Sequence, residues 1–582
     1  MRFASPSLAP LFALLVPTLG LTAAACTDDA TDERAAEDTD AGGDEVTADG
    51  TSSSDSESGE SSSEGETTTE TDSSTDAETT EEESAEESAD ETESSTGETT
   101  ETETTGQICD PGEVTCFDAD NTQMCNEEGS DWDPPVPCPD STECVAGECI
   151  DSCTLAELNP SSVGCSFFAN RMDNLHADQP DSLVIGNVSS DDPVTAQLYF
   201  VPNDSNTEQA QGAPVVIPPQ ATHTFELNNA QIESVTTVRT GGVYRVETDN
   251  PVVAYVHSPI GSQATNDASM ILPEHALTGN YVVASWPGTF SAHYPSYFTA
   301  IAINDGTNLE FVAGSPTAGG GGVPALQMGG STSVALDRYD TLNVVVAQQY
   351  QDLSGTVITA DQPVWLAGAS ECANVPMYPA VLYCDHLEEL MLPLEYWGDE
   401  YVGAHAPQRG NESYHWRVYS GEDGVTIDTT PSQPGFPVTL DKGEYHQFAT
   451  QESFIFSGSG PFLPVQYLEG QSGGAGTGDP SMYQMVPTEQ FLDAYAFVTG
   501  TNYTQHYAQI VRPAGGADVT VDGQTVTDFY TVGAWEIADF AVSEGAHFAT
   551  SEQPFGVTQV GYTSVTSYAY PGGLKLAVIN PQ

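Results

Sequence analysis

Short apolar runs bounded by turn residues recur from Ser166 to the end of the 582-residue chain. Residues 182–188, 196–201, 243–246 and 252–256 are rich in Val, Ile, Tyr and Phe, with Asp-Asn-Pro, Asn-Asp or Gly-Gly signals between such runs. Helical periodicity does not persist beyond about three turns anywhere. The pattern predicts an all-β architecture.

The runs are self-similar. "MILPEHALTGNYVVASWP" begins at Met270, "LMLPLEYWGDEYVGAHAP" at Leu390 and "YQMVPTEQFLDAYAFVTG" at Tyr483. Each places an apolar residue before proline (Pro273, Pro393, Pro487) and a tyrosine eight positions later (Tyr281, Tyr401, Tyr495). A second phrase sets Pro before an apolar strand: "TDNPVVAYV", "ADQPVWLAG", "GSGPFLPVQ" and "SEQPFGVTQ". The first signal recurs after 120 and then 94 residues, a period that suits a β-sandwich of about seven strands better than a propeller blade of about 40 residues. The expectation is four tandem sandwich-like modules within 154–582, spanning approximately 166–260, 270–372, 390–468 and 484–562, with a propeller-like closure as the alternative.

The N-terminus reads differently. Residues 1–25 carry Arg2, an apolar stretch broken by Pro10 and Pro17, and then Ala23-Ala24-Ala25 before Cys26, as a lipoprotein export signal would. Ala23 stands where such boxes usually carry Leu, and cleavage after Ala25 by an ordinary signal peptidase is the competing reading. Lipidation of Cys26 would leave ten cysteines, an even number. Thr27 after that cysteine points to the outer membrane or cell surface as the destination. Residues 26–107 are almost wholly Ser, Thr, Glu, Asp, Gly and Ala, too poor in apolar side chains to offset chain entropy, and are expected to form a disordered acidic tether.

Charge sharpens the picture. The chain has 87 acidic and 11 basic residues, and 108–582 alone holds 57 acidic against nine basic. With only two lysines, Lys442 and Lys575, no basic stripe exists for a phosphate backbone, so nucleic acid is excluded as a partner. No compact carboxylate cluster stands out along the sequence, and saline adaptation of the surface is the preferred account of the acidity. Cys109, Cys116, Cys125, Cys138, Cys144 and Cys149 fall in one short polar stretch (domain 108–153) that cannot build a core and needs staples. Three disulfides with 15 possible pairings are expected there. Cys153 with Cys165, and Cys372 with Cys384, complete five.

Beyond the cysteine-rich stretch the chain resembles the N-terminal domain family of IgGFc-binding proteins, in the form carried by bacterial surface lipoproteins. The resemblance rests on "GCSFFANRMDN" from Gly164, "ILPEHALTGNYVVASWP", "CANVPMYPAVLYCDHLEELMLPLEYWGDEYV" from Cys372, and "GAHFATSEQPFGVTQVGYTSVTSYAYPGG" from Gly545. The motif positions are Pro273, Tyr281, Asp385, His386, Pro393, Trp397, Gly398, Tyr401, Gly545, His547, Pro571, Gly572 and Gly573. The resemblance implies a binding protein. It carries over no residue for an antibody contact, so immunoglobulin is not the expected ligand.

Candidate chemistry is thin. The eleven histidines are scattered, no His-Glu-x-x-His or phosphate loop occurs, and no cofactor or metal is expected. Gly470-Gln471-Ser472-Gly473-Gly474 matches a nucleophile elbow literally, but the glycine-rich sequence after it cannot start a helix. Asp385-His386 beside Glu388 and Glu389 is the nearest acid–base candidate, against a structural role in a loop stapled by Cys384. Tryptophans 286, 365, 397, 416 and 535 suit sandwich cores more than a sugar platform. The expected function is a non-enzymatic, lipid-anchored envelope protein presenting a β-rich binding or adhesion region to a protein or glycan. A surface polysaccharide hydrolase and a self-associating envelope protein are the alternatives.

Overall fold

The computed structural model describes residues 107–139, 142–176, 179–259, 265–289 and 294–582. The expected signal peptide, Cys26 and all but the last residue of the acidic tether lie outside the described residues. The cysteine-rich segment forms a three-stranded sheet (Val114–Asp118, Asn121–Met124, Val136–Pro137) and a hairpin (Thr142–Val145, Glu148–Asp151). Its disulfides are Cys109–Cys125, Cys116–Cys144 and Cys138–Cys149. A single short α-helix among the described residues, Ser152–Leu158, follows; the Asp151 carboxylate accepts the Thr154 amide as its N-cap. Cys153–Cys165 then staples the helix to the first strand of the β region.

That region repeats one eight-strand plan four times. The second module shows it most plainly, with strands Asn280–Val282, Ser296–Ala302, Thr307–Val312, Ser331–Leu336, Asp340–Val345, Val357–Ala360, Val364–Ala373 and Asp385–Leu390. Its first, sixth, third and fourth strands pair in that order into one sheet; its fifth, second, seventh and eighth pair into the other. The third module, from Glu400–Gly403 to Met482–Gln484, has the same two orders. In the first and last modules the sixth and seventh strands are one continuous strand, Val243–Ser258 and Ala546–Tyr562, whose first half pairs in one sheet and second half in the other.

The proline phrase marks this crossing. Pro251, Pro363, Pro461 and Pro554 each stand where the chain leaves one sheet for the other. Proline cannot donate to a ladder, so pairing on the first sheet stops there. Strands of that sheet alternate: Val425, Ile427 and Thr429 point inward between exposed neighbours. The second sheet differs, because Val364–Ala373 and Tyr414–Ser420 are buried at every position and so are covered on both faces. Aromatics fill the sandwiches, with Phe298 against Phe311 at 5.5 Å between centroids and Trp416 edge-on to Phe454 and Phe456 at 5.5 and 5.7 Å.

Each module runs through one strand more than the sequence limits assign to it. These last strands, Asp267–Ile271, Asp385–Leu390, Met482–Gln484 and Ser567–Pro571, pack on one another in a closed cycle, the fourth against the first. The modules are therefore sandwiches, and they also close into a ring. Sandwich and propeller-like closure are not exclusive here.

Candidate functional site

Acidic side chains collect where the four last strands meet. Asp267 accepts the Ser481 hydroxyl at 2.6 Å, the Met482 amide at 3.0 Å and the Glu388 amide at 3.3 Å, so one carboxyl group joins three modules. Ser269 donates to Glu389 Oε2 at 3.0 Å and accepts the Leu390 amide at 2.8 Å. The Gln484 amide reaches the same Oε2 at 3.2 Å. His386 Nε2 lies 3.2 Å from Glu388 Oε2. Asp385 and His386 thus sit on the last strand of the second module, where the four modules meet, not in the stapled loop the sequence suggested, and neither is exposed.

Burial decides the protonation of this cluster. It raises Asp267, Asp385, Glu388 and Glu389 well above the ordinary carboxyl range, even against the donors on Asp267. The same desolvation lowers His386 to about 4. The His386–Glu388 contact has the distance of an ion pair, but with both partners held neutral it is an uncharged hydrogen bond. Farther out, Ser234 Oγ lies 2.8 Å from Asp173 Oδ2 and 2.7 Å from Glu371 Oε2. One hydroxyl has one proton to donate, so one of these acids must be protonated and donate back to it. Burial places Asp173 at about 6, Glu371 at about 8 and nearby Asp181 at about 8.

The cluster has no room for a substrate. The cavity beside Ser269, Glu388 and Glu389 would hold about one water. No group of three potential ligands close enough for a metal exists among the described residues. What the arrangement does is join modules through protonated acids. Sequence reasoning missed it because its members come from three modules, and Asp267 in "ATNDASM" looks like any loop acid.

The remaining motif residues build corners. Glu274–Ala276, Leu394–Tyr396 and Thr488–Gln490 are 3-10 turns opened by Pro273, Pro393 and Pro487. The Tyr281 hydroxyl accepts the Thr278 amide at 3.2 Å and donates to the Val364 carbonyl at 2.7 Å. Tyr401 accepts the Gly398 amide at 3.0 Å, and Tyr495 accepts the Leu492 amide at 2.9 Å while donating to the Phe555 carbonyl. Val364 and Phe555 directly follow the crossing prolines, so the two sequence phrases meet at these hydroxyls. Corners also bind one another: Tyr396 OH donates to Ala276 O, and the Gln490 amide donates to Tyr396 O. Gly398 is required by close approach, since a Cβ there would fall 2.5 Å from Pro487. Trp397 is buried and donates to the Leu392 carbonyl.

Pro571-Gly572-Gly573 closes the ring on the first module. Tyr255 OH donates to Gly572 O, and a Cβ on Gly573 would meet Ser162. His547, near the start of the strand Ala546–Tyr562, bonds Asp522 at 2.7 Å and Ser543 O at 2.8 Å with both nitrogens engaged; Gly545 exchanges hydrogen bonds with Thr499 beside it. Ser472 accepts the Leu382 amide on a 3-10 turn with no helix after it. Four of the five tryptophans named above are core residues, Trp535 being half-buried.

The sequence profile of the IgGFc binding protein family matches residues 267–561, half of the chain. The chain belongs to this family. The human IgGFc-binding protein is 33% identical over 139 residues, covering 24% of this chain and 2% of the human protein, so the chain spans a small fraction of that relative. A solved biofilm-associated BSP domain aligns over 70% of this chain and 96% of its own length at 8% identity, with a TM-score of 0.11, a value on which no shared fold is argued. The family segment begins at Asp267 itself and takes in all three proline corners. The first module lies almost wholly outside it yet repeats the same strand orders. Five disulfides require an oxidising compartment. With the family membership, they make this an extracellular β-rich protein.

Proposed function

We propose that this family member is a non-enzymatic, lipid-anchored envelope protein of bacterial type, presenting its β ring as a binding or adhesion surface. The observation that carries the reading is that the acidic groups best suited to chemistry are buried as joints between modules, leaving loops at the module ends as the recognition surface. The human relative's name refers to immunoglobulin Fc; we propose a protein or glycan ligand other than immunoglobulin for this chain. Cys26 would carry the lipid, and residues 26–107 would hold the ring off the outer membrane.

Two measurements test this. Intact mass of the membrane-extracted protein, before and after reduction, is expected to give a diacylglyceryl-modified Cys26 and ten thiols released only on reduction. Incubation with polysaccharide and peptide libraries is expected to yield binding without turnover. Turnover abolished by changing a single carboxylate would replace this reading with a hydrolase.

A further inference from the structure

An edge strand with open backbone groups is a template for another chain, and folded proteins blunt such edges with short strands, prolines or charges. The fourth strand forms one edge of the first sheet in every module, and three of the four are blunted. In the first module it is broken into Gln209–Ala210 and Val215–Ile217, with Pro214 and Pro218 flanking the second piece. In the third it is Val438–Leu440, between Pro437 and Asp441. In the last it is two residues, Gln524–Thr525. The second module's is whole: Ser331–Leu336 pairs residue for residue with Thr307–Val312, and with no other strand among the described residues. It holds no proline, and the sequence has no charged residue from Phe311 to Leu336. In a chain of net charge −76, this edge lacks the protection that the other three have.

The geometry suits an added strand. The Ala313 amide donates to the Gly330 carbonyl at 2.9 Å, and antiparallel bonding alternates along a strand. Ser331, Ser333 and Ala335 therefore turn their N–H and C=O groups away from the sheet, and all three are small and exposed. Beside them on the same face, Glu310 lies opposite Ser333 and Val312 opposite Ser331, both exposed. A strand laid on this edge would run about 10 Å from Glu310, two strand spacings, so a basic side chain on it reaches that carboxylate across Ser333. On the other face Thr332 and Val334 are half-buried, and β-branched side chains would extend their layer. The chain already adds a strand in this way to the module's other sheet, where Thr237–Thr240 from the first module pairs with Asp340–Val345. The acidity of the whole chain attracts a basic occupant and repels a second copy.

We infer that the Ser331–Leu336 edge binds an extended, basic segment of a partner protein by strand addition. The inference rests on the binding reading above and specifies its partner as protein. The test is calorimetric titration of the full chain with the capped peptide Thr-Val-Lys-Val-Thr-Val, with its Lys-to-Glu form, and with a form N-methylated at alternate backbone nitrogens. Saturable binding of the lysine peptide is expected, at least tenfold weaker for the other two. Ser333→Pro removes an N–H that faces away from the ladder, so it should leave the melting temperature unchanged and weaken binding at least tenfold. Glu310→Lys should reverse the preference between the lysine and glutamate peptides. No saturable binding of the lysine peptide, or binding indifferent to N-methylation or to Ser333→Pro, overturns this edge while leaving the general binding reading in place. Concentration-dependent self-association in sedimentation velocity that is lost in Ser333→Pro would make a second copy the occupant and overturn the partner assignment. Peptide cleavage that stops in Ser333→Pro would keep the edge and overturn the non-enzymatic reading instead.

Discussion

The cysteine-rich segment and the ring hold their folds by opposite means. Among the described apolar residues of 109–151, only Cys109, Cys125 and Cys144 are buried, and Phe117, Met124 and Val136 are 57, 49 and 61% exposed. The ring buries Trp286, Trp397 and Trp416 completely, with tyrosines such as Tyr244, Tyr281, Tyr401 and Tyr467 around them. Small segments cannot remove enough apolar surface from water to offset chain entropy, so covalent loops limit the unfolded chain instead. Four sandwiches closed on each other have surface to spare.

Reduction should separate the two most sharply. The three disulfides bridge separations of 16, 28 and 11 residues, each contributing about 3 kcal/mol. After treatment with a thiol reductant, hydrogen exchange followed by mass spectrometry is expected to show 109–151 fully unprotected while strands such as Val364–Ala373 keep their protection. Retained protection in 109–151 would mean that it has a packing core of its own, and the contrast would fail.

The reciprocal experiment is truncation in the core. Trp416 is fully buried against Phe448, Phe454 and Phe456, so Trp416→Ala is expected to cost about 3–5 kcal/mol in calorimetric or denaturant unfolding. Phe117→Ala, at an exposed site in the stapled segment, should stay within about 0.5 kcal/mol. Similar losses at both sites would erase the distinction.

The ring's axis adds a pH dependence that the disulfides cannot have. Asp181 and Glu371 lie at about 8 and Asp479 at about 7 in the folded chain, above their unfolded values. The folded state therefore binds more protons, and stability falls as pH rises from the unfolded carboxyl values up to the folded ones. His257 and His386, lowered to about 4, act the other way, losing stability as pH falls from about 6.5 to 4. Above about pH 7.5 these two histidines are neutral in both states and the carboxyls act alone. From these three acids alone, unfolding free energy is expected to drop by about 4 kcal/mol between pH 6.5 and 8.5, with Glu371→Gln flattening the slope. A flat or rising profile would show that water reaches these acids.

How far the sequence reveals this organisation follows from the range of the forces involved. The strands, the proline crossings and the eight-residue step from Pro273 to Tyr281 are local, because backbone donors and turn sterics act within a few residues. The ring is legible only as the propeller-like alternative to separate sandwiches, since its closing contacts join strands separated by roughly a hundred to three hundred residues. Asp267, Ser269 and Gln484 are ordinary polar letters until the fold sets them against Glu388, Glu389 and Ser481. Asp385-His386 was legible as unusual, but its burial, which turns a candidate acid–base pair into a neutral joint, was not. The uncharged run from Cys372 to Cys384 was visible as a stapled loop.

The finest probe of the comparison is a single hydroxyl. Tyr281 ties the corner after Pro273 to the carbonyl just past Pro363, so it links segments 83 residues apart as a disulfide would, but through hydrogen bonds. Tyr281→Phe keeps the ring in its packed site and removes only the oxygen, leaving the Val364 carbonyl and the Thr278 amide without that partner. The expected loss is about 1–2 kcal/mol, well below the effect of Trp416→Ala and of the same order as a modest disulfide. Tyr495→Phe, which removes the equivalent contact to Phe555, should cost a similar amount. The two losses should add in the double variant, because the corners belong to different modules and share no partner. Losses that fall short of additivity would show that one corner transmits strain to the next through the Tyr396 and Gln490 bonds, and that the ring behaves as one cooperative unit.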